Sequence, residues 1–361
     1  MTSTRRTASL LLAALALATP AAADASWRVK GHGFGHGVGL SQYGAFGFAE
    51  HGRDYRQIVD HYFAHTKLDR DGGSVRVLLG SGEGAVGFTG AGNGCGKHLD
   101  PRAGYSFEVD SGDVVLRKQG GHRVATCGAE GKASTGVKID GFGRYRGSLV
   151  ARATGGNMLV INELGSEAYV RGVVPNEVPS SWPAAALEAQ AVVARSYGLA
   201  TDRSGPFDQY ADTRSQVYGG KDSETEETNR AVSQTRKRIV TYHGDPAITY
   251  YFSTSGGETE NSEFGFAGGN AAPYLKSVDD PFDDASPVHD WTETFSDAQI
   301  ESKLDGLFEG RLKQIKVLKT GVSPRIVRAR VVGSSGSSTV TGDVLRARLG
   351  LMSTWARFSH R

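Results

Sequence analysis

The chain has 361 residues, with 41 Lys and Arg against 39 Asp and Glu and 39% apolar residues. Its 15 Phe, 13 Tyr and four Trp supply enough apolar area to offset chain entropy, which excludes a disordered protein. The 49 glycines show no three-residue period, which excludes collagen, and beyond the N-terminal leader no run approaches the ~18 apolar residues of a membrane span.

Residues 1–23 read as an export signal. Arg5 and Arg6 form a charged start, Ala8 to Ala18 an apolar stretch too short to span, and a small-residue cleavage site ends at Ala23, with Ala25 as the alternative. A secreted, extracytoplasmic protein is expected. Cleavage at Ala23 removes two Arg and no acid, leaving 39 basic against 39 acidic residues. Such a neutral chain argues against nucleic acid or an anionic membrane surface as the main partner.

Next comes a run with glycine at 31, 33, 35, 37 and 39, carrying His32 and His36. A dinucleotide-binding reading fails, because that fingerprint needs an odd step between its second and third glycines. A bare backbone remains, able to approach a ligand closely. In an extended chain the two histidines would share a face. A metal-dependent hydrolase would need both to converge with an acid. Tyr55, Ile58, Val59, Tyr62 and Phe63 then fall on one helical face.

Residues 74–163 read as all-β, with strands at 75–79, 105–109, 114–116, 148–151 and 158–161 punctuated by turn residues. Cys95 and Cys127, the two cysteines of an exported chain, are expected to form a structural disulfide.

The character changes at Glu167. Val170 to Val174 is a short apolar segment, followed by prolines at 175, 179 and 183 that would stiffen a loop around Glu177. Apolar neighbours would raise its pKa, as a general acid needs. The same carboxylate could instead serve only the electrostatics of the next helix. That helix is expected over Ala184–Ala200, with another over about 224–237 capped by Asp222 or Ser223. Strands are expected at 239–242, 247–252, 314–318 and 326–332, and a hairpin tip at 334–338. Further helices should run from a Ser296 cap to about Leu304 and over Gly342–Leu349. Ser253 and Ser255 lack the neighbours of a serine nucleophile and read as turn residues or substrate hydrogen bonders.

The run from Glu167 to Tyr197, with its Pro-Asn-Glu177-Val-Pro centre, strongly resembles the core motif of the stage II sporulation protein D and LytB amidase-enhancer family. The Gln216-Val-Tyr218 loop, the Ser253 to Gly257 loop, residues 273–278, residues 35–45 and residues 342–351 match as well. The family contains lytic transglycosylases of peptidoglycan and relatives described as amidase enhancers. The resemblance implies that Glu177 protonates the oxygen between MurNAc and GlcNAc. It then takes the proton of the MurNAc 6-hydroxyl, which closes on C1 to give a 1,6-anhydro end without consuming water. It also implies a glycan cleft lined by His36, Ser41, Gln42, Tyr43, Gln216, Tyr218, Ser253 and Ser255, with Arg195 as helix-borne support. No metal or other cofactor is expected, since Ser215 stands where some members have a Cys. The rival is a non-catalytic wall-binding protein that stimulates a wall amidase. A hydrolase would want a second carboxylate, for which Glu163, Glu167, Glu188 and Asp212 are at hand. The Gly-His motif follows the catalytic Glu in the sporulation proteins, yet here it precedes Glu177. The expected organisation is a leader over 1–23, a Gly-His segment over 24–70 packed on the core, a β-rich region over 71–159 and a catalytic core over 160–361, together one compact α+β body.

Overall fold

The computed structural model describes residues 26–134, 136–201, 204–266 and 268–361. The expected export signal lies outside them. Helices and strands mix as the α+β reading requires.

Alternating apolar residues build the β-rich part. Ser74–Gly82, Asn157–Gly165 and Ser148–Thr154 are antiparallel neighbours in one sheet. Val86–Thr89, Tyr105–Asp110, Asp113–Lys118 and Arg123–Gly128 belong to a second. Phe88, Phe107 and Leu116 of the second sheet share one core with Val77, Leu149 and Ala151 of the first. The expected disulfide is present. Cys95 follows the strand Asn93–Gly94 of the first sheet and Cys127 lies in the second, so the bridge staples the two together. Closing that loop is worth about 3–4 kcal/mol in the chain-entropy description.

Five helices form the next layer: α1 (Gln42–Glu50), α2 (Tyr55–Tyr62), α3 (Ser166–Glu177), α4 (Ala184–Ala200) and α5 (Glu226–Gln234). α4 lies at the centre, against the other four. Its alanines and valines are buried nearly all round, the pattern of a helix with no solvent face. α2 buries the four residues Tyr55, Ile58, Val59 and Tyr62 that its spacing marks, and a capping box at Asp54 starts it.

The strand Ser26–His32 lies between Asp290–Ser296 and Ala356–His360, remote in sequence. Behind it a second sheet joins Leu312–Thr320, Ile326–Gly333 and Gly336–Thr341. The helix Asp297–Lys303 starts at its Ser296 cap, and Gly342–Leu349 ends on Gly350 in the left-handed conformation. No helix among the described residues is long and apolar enough to cross a membrane.

Four local expectations are corrected. The segment before Glu177 is not a loop: α3 runs through Pro175 and ends at Glu177. Proline is tolerated there because the helix stops two residues later, so little of the ladder is lost. α5 is capped by Thr225, since Gly220–Ser223 forms a separate 3₁₀ turn. Residues 247–250 are not a strand, because their groups serve other elements: Tyr250 O accepts from Leu40 N–H and the Thr249 hydroxyl donates to Val193 O. Only Tyr251–Phe252 pairs, parallel to Leu40–Ser41. Finally, the Gly-His run is not extended. Gly33, Gly35, Gly37 and Gly39 all take positive φ, so His32 and His36 do not share a face. At Gly39 a Cβ would stand 2.2 Å from Tyr250 O, so the position demands glycine on both counts.

Candidate active site

Glu177 ends α3 and faces a cleft of about 450 Å³. The cleft is walled by Phe34 and His36 of the Gly-His run, by Tyr197 of α4, by Thr213, Arg214, Ser215 and Val217, and by Tyr250 to Ser253. Two lengths of chain about 140 residues apart therefore meet here, and the altered chain order of the motifs does not separate them. The parallel pairing of Leu40–Ser41 with Tyr251–Phe252 holds the Gly-His wall in place. Gln42, first residue of α1, donates from Nε2 to the backbone carbonyl of Glu177 at 3.3 Å.

One carboxylate oxygen of Glu177 accepts the Val217 N–H at 2.8 Å. No ion pair to Glu177 occurs among the described residues. Burial pushes its pKa up, opposed by the Val217 N–H and by the Tyr251 hydroxyl. Its place at the C-terminal end of α3 acts in the same direction as burial, because the exposed carbonyls there disfavour a second negative charge. This is the reverse of the helix-start reading, in which the carboxylate would be stabilised.

His36 is held neutral. Burial, with the charges of Arg346 and Arg325, lowers its pKa from 6.5 to about 3. Its Nδ1 accepts the Val38 N–H at 3.0 Å, so the neutral ring carries its proton on Nε2. The ring packs against Tyr250, Phe252 and Phe266.

The other sequence-predicted residues divide sharply. Ser253 lines the cleft beside His36 and Gln42. Tyr43 flanks it, its ring 5.1 Å from Trp182 and its N–H bonded to Ser253 O. Ser41, Arg195, Gln216, Tyr218 and Ser255 are buried behind the surface, and none touches the cleft space. Ser41 caps α1 and accepts the Ser255 N–H. Arg195 pairs with Glu167 at 2.8 Å and donates to Arg238 O. Gln216 bridges Tyr169 and Ala194 O, Tyr218 donates to Asn162, and Ser255 donates to Asp283. The structure thus places Ser41, Gln216, Tyr218 and Ser255 in the scaffold behind the cleft, bonded within the protein, and Arg195 on α4 against Glu167.

The sequence reading missed Tyr251. Its hydroxyl is buried, has no well-aligned hydrogen bond among the described residues, and is near enough to Glu177 to influence it. An aromatic before a polar Gly-bounded loop is too common a pattern to have marked it. None of the four candidate second carboxylates lines the cleft. Glu163 pairs with Lys132, Glu167 with Arg195, and Asp212 with Arg214, while Glu188 lines a separate hollow with Trp182. Nor do His32 and His36 converge on an acid: His32 turns away to Asp290.

Residues 154–242 match the family model described as stage II sporulation protein. Stage II sporulation protein D of Bacillus subtilis is 33% identical over 214 residues, 53% of this chain and 60% of its own length. An uncharacterised protein of Brachyspira hyodysenteriae is 38% identical over 173 residues, 47% of this chain and 46% of its own. The amidase enhancer of B. subtilis is 38% identical over 134 residues, 37% of this chain and 18% of its own. The chain thus spans about half the length of the first two. The matched sporulation-protein segment contains α3, α4 and the 213–217 loop, hence Glu177 and one wall of the cleft.

Proposed function

We propose that the protein is an exported lytic transglycosylase of peptidoglycan glycan strands, with Glu177 as both acid and base. One observation carries this reading: among the described residues Glu177 is the single carboxylate lining the cleft, and burial raises its pKa, which favours the protonated form that a general acid needs. A one-carboxyl site suits a reaction whose nucleophile belongs to the substrate. Glu177 gives its proton to the glycosidic oxygen as the C1–O bond breaks. The resulting carboxylate takes the proton of the 6-hydroxyl as O6 bonds to C1, which restores the acid. Among the described residues a two-carboxylate hydrolysis has no second partner in this cleft. The aromatic lining (Phe34, Tyr197, Tyr250, Phe252) suits the apolar faces of sugar rings, and neutral His36 offers no charge to compete with the acid.

The similarity to an amidase enhancer supports a second reading, a wall-binding protein that stimulates an amidase. The two part at Glu177, which only the enzyme needs desolvated and facing an open groove. The test incubates the protein with purified glycan strands, with and without stem peptides, beside Glu177→Gln. Anhydro-MurNAc ends that vanish in the variant are expected by mass spectrometry. Binding without cleavage would transfer the assignment to the enhancer reading, and reducing ends would mean hydrolysis.

A further inference from the structure

His32 ends the strand Ser26–His32 and stands directly opposite Asp290, which starts the neighbouring strand. Cross-strand partners of this kind have their side chains side by side. His32 Nδ1 lies 2.6 Å from an Asp290 carboxylate oxygen. His289 joins them: one ligand atom from each of His32, His289 and Asp290 lies within 4.8 Å of the others. The cluster is reachable from solvent, since all three side chains are partly or well exposed.

The backbone beneath is fixed. The Gly33 N–H donates to His289 O, the His32 N–H to Trp355 O, the Ser353 hydroxyl to His32 O and the Trp291 indole N–H to Gly33 O. His289 is also oriented from behind. Its Nδ1 bonds at 2.8 Å to Asp283, a carboxylate that is 1% exposed. The other oxygen of Asp283 accepts the Ser255 hydroxyl and the Gly256 N–H, so its position is set independently of the histidine. With Nδ1 donating to Asp283, Nε2 of His289 is the atom that carries a lone pair toward solvent. A carboxylate bonded to the far nitrogen of a histidine is the arrangement that orients metal-bound imidazoles and raises their basicity.

We propose that His32, His289 and Asp290 form a binding site for a divalent transition-metal ion of the zinc class. Two imidazoles and one carboxylate suit a borderline cation better than Mg²⁺ or Ca²⁺, which favour all-oxygen shells. The cation takes the place of the proton now between His32 and Asp290. With bonds of ~2.0–2.2 Å at tetrahedral angles the ligand atoms stand about 3.4 Å apart, within reach of partly exposed side chains. Three protein ligands leave one position for water or an anionic ligand. The site lies outside the Glu177 cleft, and it stands or falls independently of the glycan chemistry. Its place does connect it to that cleft: the Gly-His wall leaves the fold at His32, and Asp283 holds the loop that carries Ser253 and Ser255.

The test uses tag-free protein stripped with a chelator and titrated with ZnCl2 by calorimetry, with bound metal counted by elemental analysis. About one equivalent of Zn²⁺ is expected, with a rise in Tm that the chelator reverses. Asp290→Asn, a change at an exposed side chain, is expected to keep the circular dichroism spectrum and weaken Zn²⁺ binding by about tenfold or more. His289→Asn should do the same, and Co²⁺ should give the visible absorption of a tetrahedral site in the parent but not in either variant. Absence of Zn²⁺ binding by the parent would overturn the proposal, as would unchanged affinity in folded Asp290→Asn.

Discussion

Burial raises the pKa of several carboxyls among the described residues, and Glu177 and Glu260 are two of them. Around Glu260 every direction is filled. Its oxygens accept the Asn261 N–H at 2.8 Å, the Val322 N–H at 3.0 Å and the Ser323 hydroxyl at 2.7 Å, and the buried Arg325 guanidinium adds its charge. Around Glu177 the Val217 N–H engages one oxygen, the Tyr251 hydroxyl lies close by, and the carboxyl faces the cleft. A shifted pKa alone does not mark a working acid. What differs is lone pairs left open toward a space that a substrate can enter.

The largest expected effect separates the two by what is lost. Glu177→Gln should lower the rate of glycan cleavage by about 10²–10⁴-fold while the protein stays folded. Because the folded pKa of Glu177 is raised, its ionisation opposes folding as pH climbs through that pKa. The variant should therefore be more stable than the parent at neutral pH and no more stable at acid pH. Cleavage by the parent should decline as pH rises through the same ionisation, which a pH–rate profile would record. Glu260→Ala should instead cost about 3–5 kcal/mol of stability in denaturant unfolding, since it leaves the buried Asn261 and Val322 N–H groups and the Ser323 hydroxyl without their acceptor. An intact Glu260→Ala beside an unfolded Glu177→Gln would reverse the comparison.

A smaller effect concerns His36. Its folded pKa is lowered to about 3, so the unfolded chain takes up the proton first as pH falls below 6.5. Its contribution to stability is whole above that pH and is lost on acidification, by roughly 1–2 kcal/mol between pH 6.5 and 5. Thermal melts of His36→Gln should show a shallower acid slope than the parent. A slope unchanged by the substitution would place the sensitivity in other groups. The smallest change in stability is expected for Tyr251→Phe. Removing a buried hydroxyl that makes no well-aligned hydrogen bond should change stability by no more than about 1 kcal/mol, while cleavage falls on the order of tenfold. A full-rate Tyr251→Phe would reduce the cleft's chemistry to Glu177 alone.

Most helices were legible because their signals are local. Tyr55 to Tyr62 shows its face and Ser296 shows its cap. The strands of the β-rich part were readable from alternation, though not which sheet each would join. α3 was missed because three prolines at even spacing suggested a stiff loop, whereas Pro175 sits where a helix is about to end. The Gly-His run misled for a related reason: alternation reads as a strand, and only tertiary contact shows the positive φ values that its glycines supply. At the site, Glu177, His36, Gln42 and Ser253 were named from sequence, and the structure brings these four together. Arg195, Gln216, Tyr218, Ser41 and Ser255 carry equally distinctive motifs, yet they serve the interior. A motif shows that a residue type is required, and burial decides whether it meets solvent or scaffold. Tyr251 and the His289–Asp283 pair depend on contacts that no spacing announces.

The strand Ser26–His32 is zipped between Asp290–Ser296 and Ala356–His360, with Gly31 paired to both Trp291 and Ala356. Pairings across more than 300 residues form late, because the loop they close costs entropy that only the finished contacts recover. The Gly-His wall hangs from that strand, so the cleft is assembled only once this clasp has shut. A chain emerging slowly through a membrane would carry Glu177 on a formed helix long before it had a groove for it to face. Loosening the clasp at Ala356–His360, a stretch with no residue in the cleft, would act on the cleft as opening a hinge acts on a jaw.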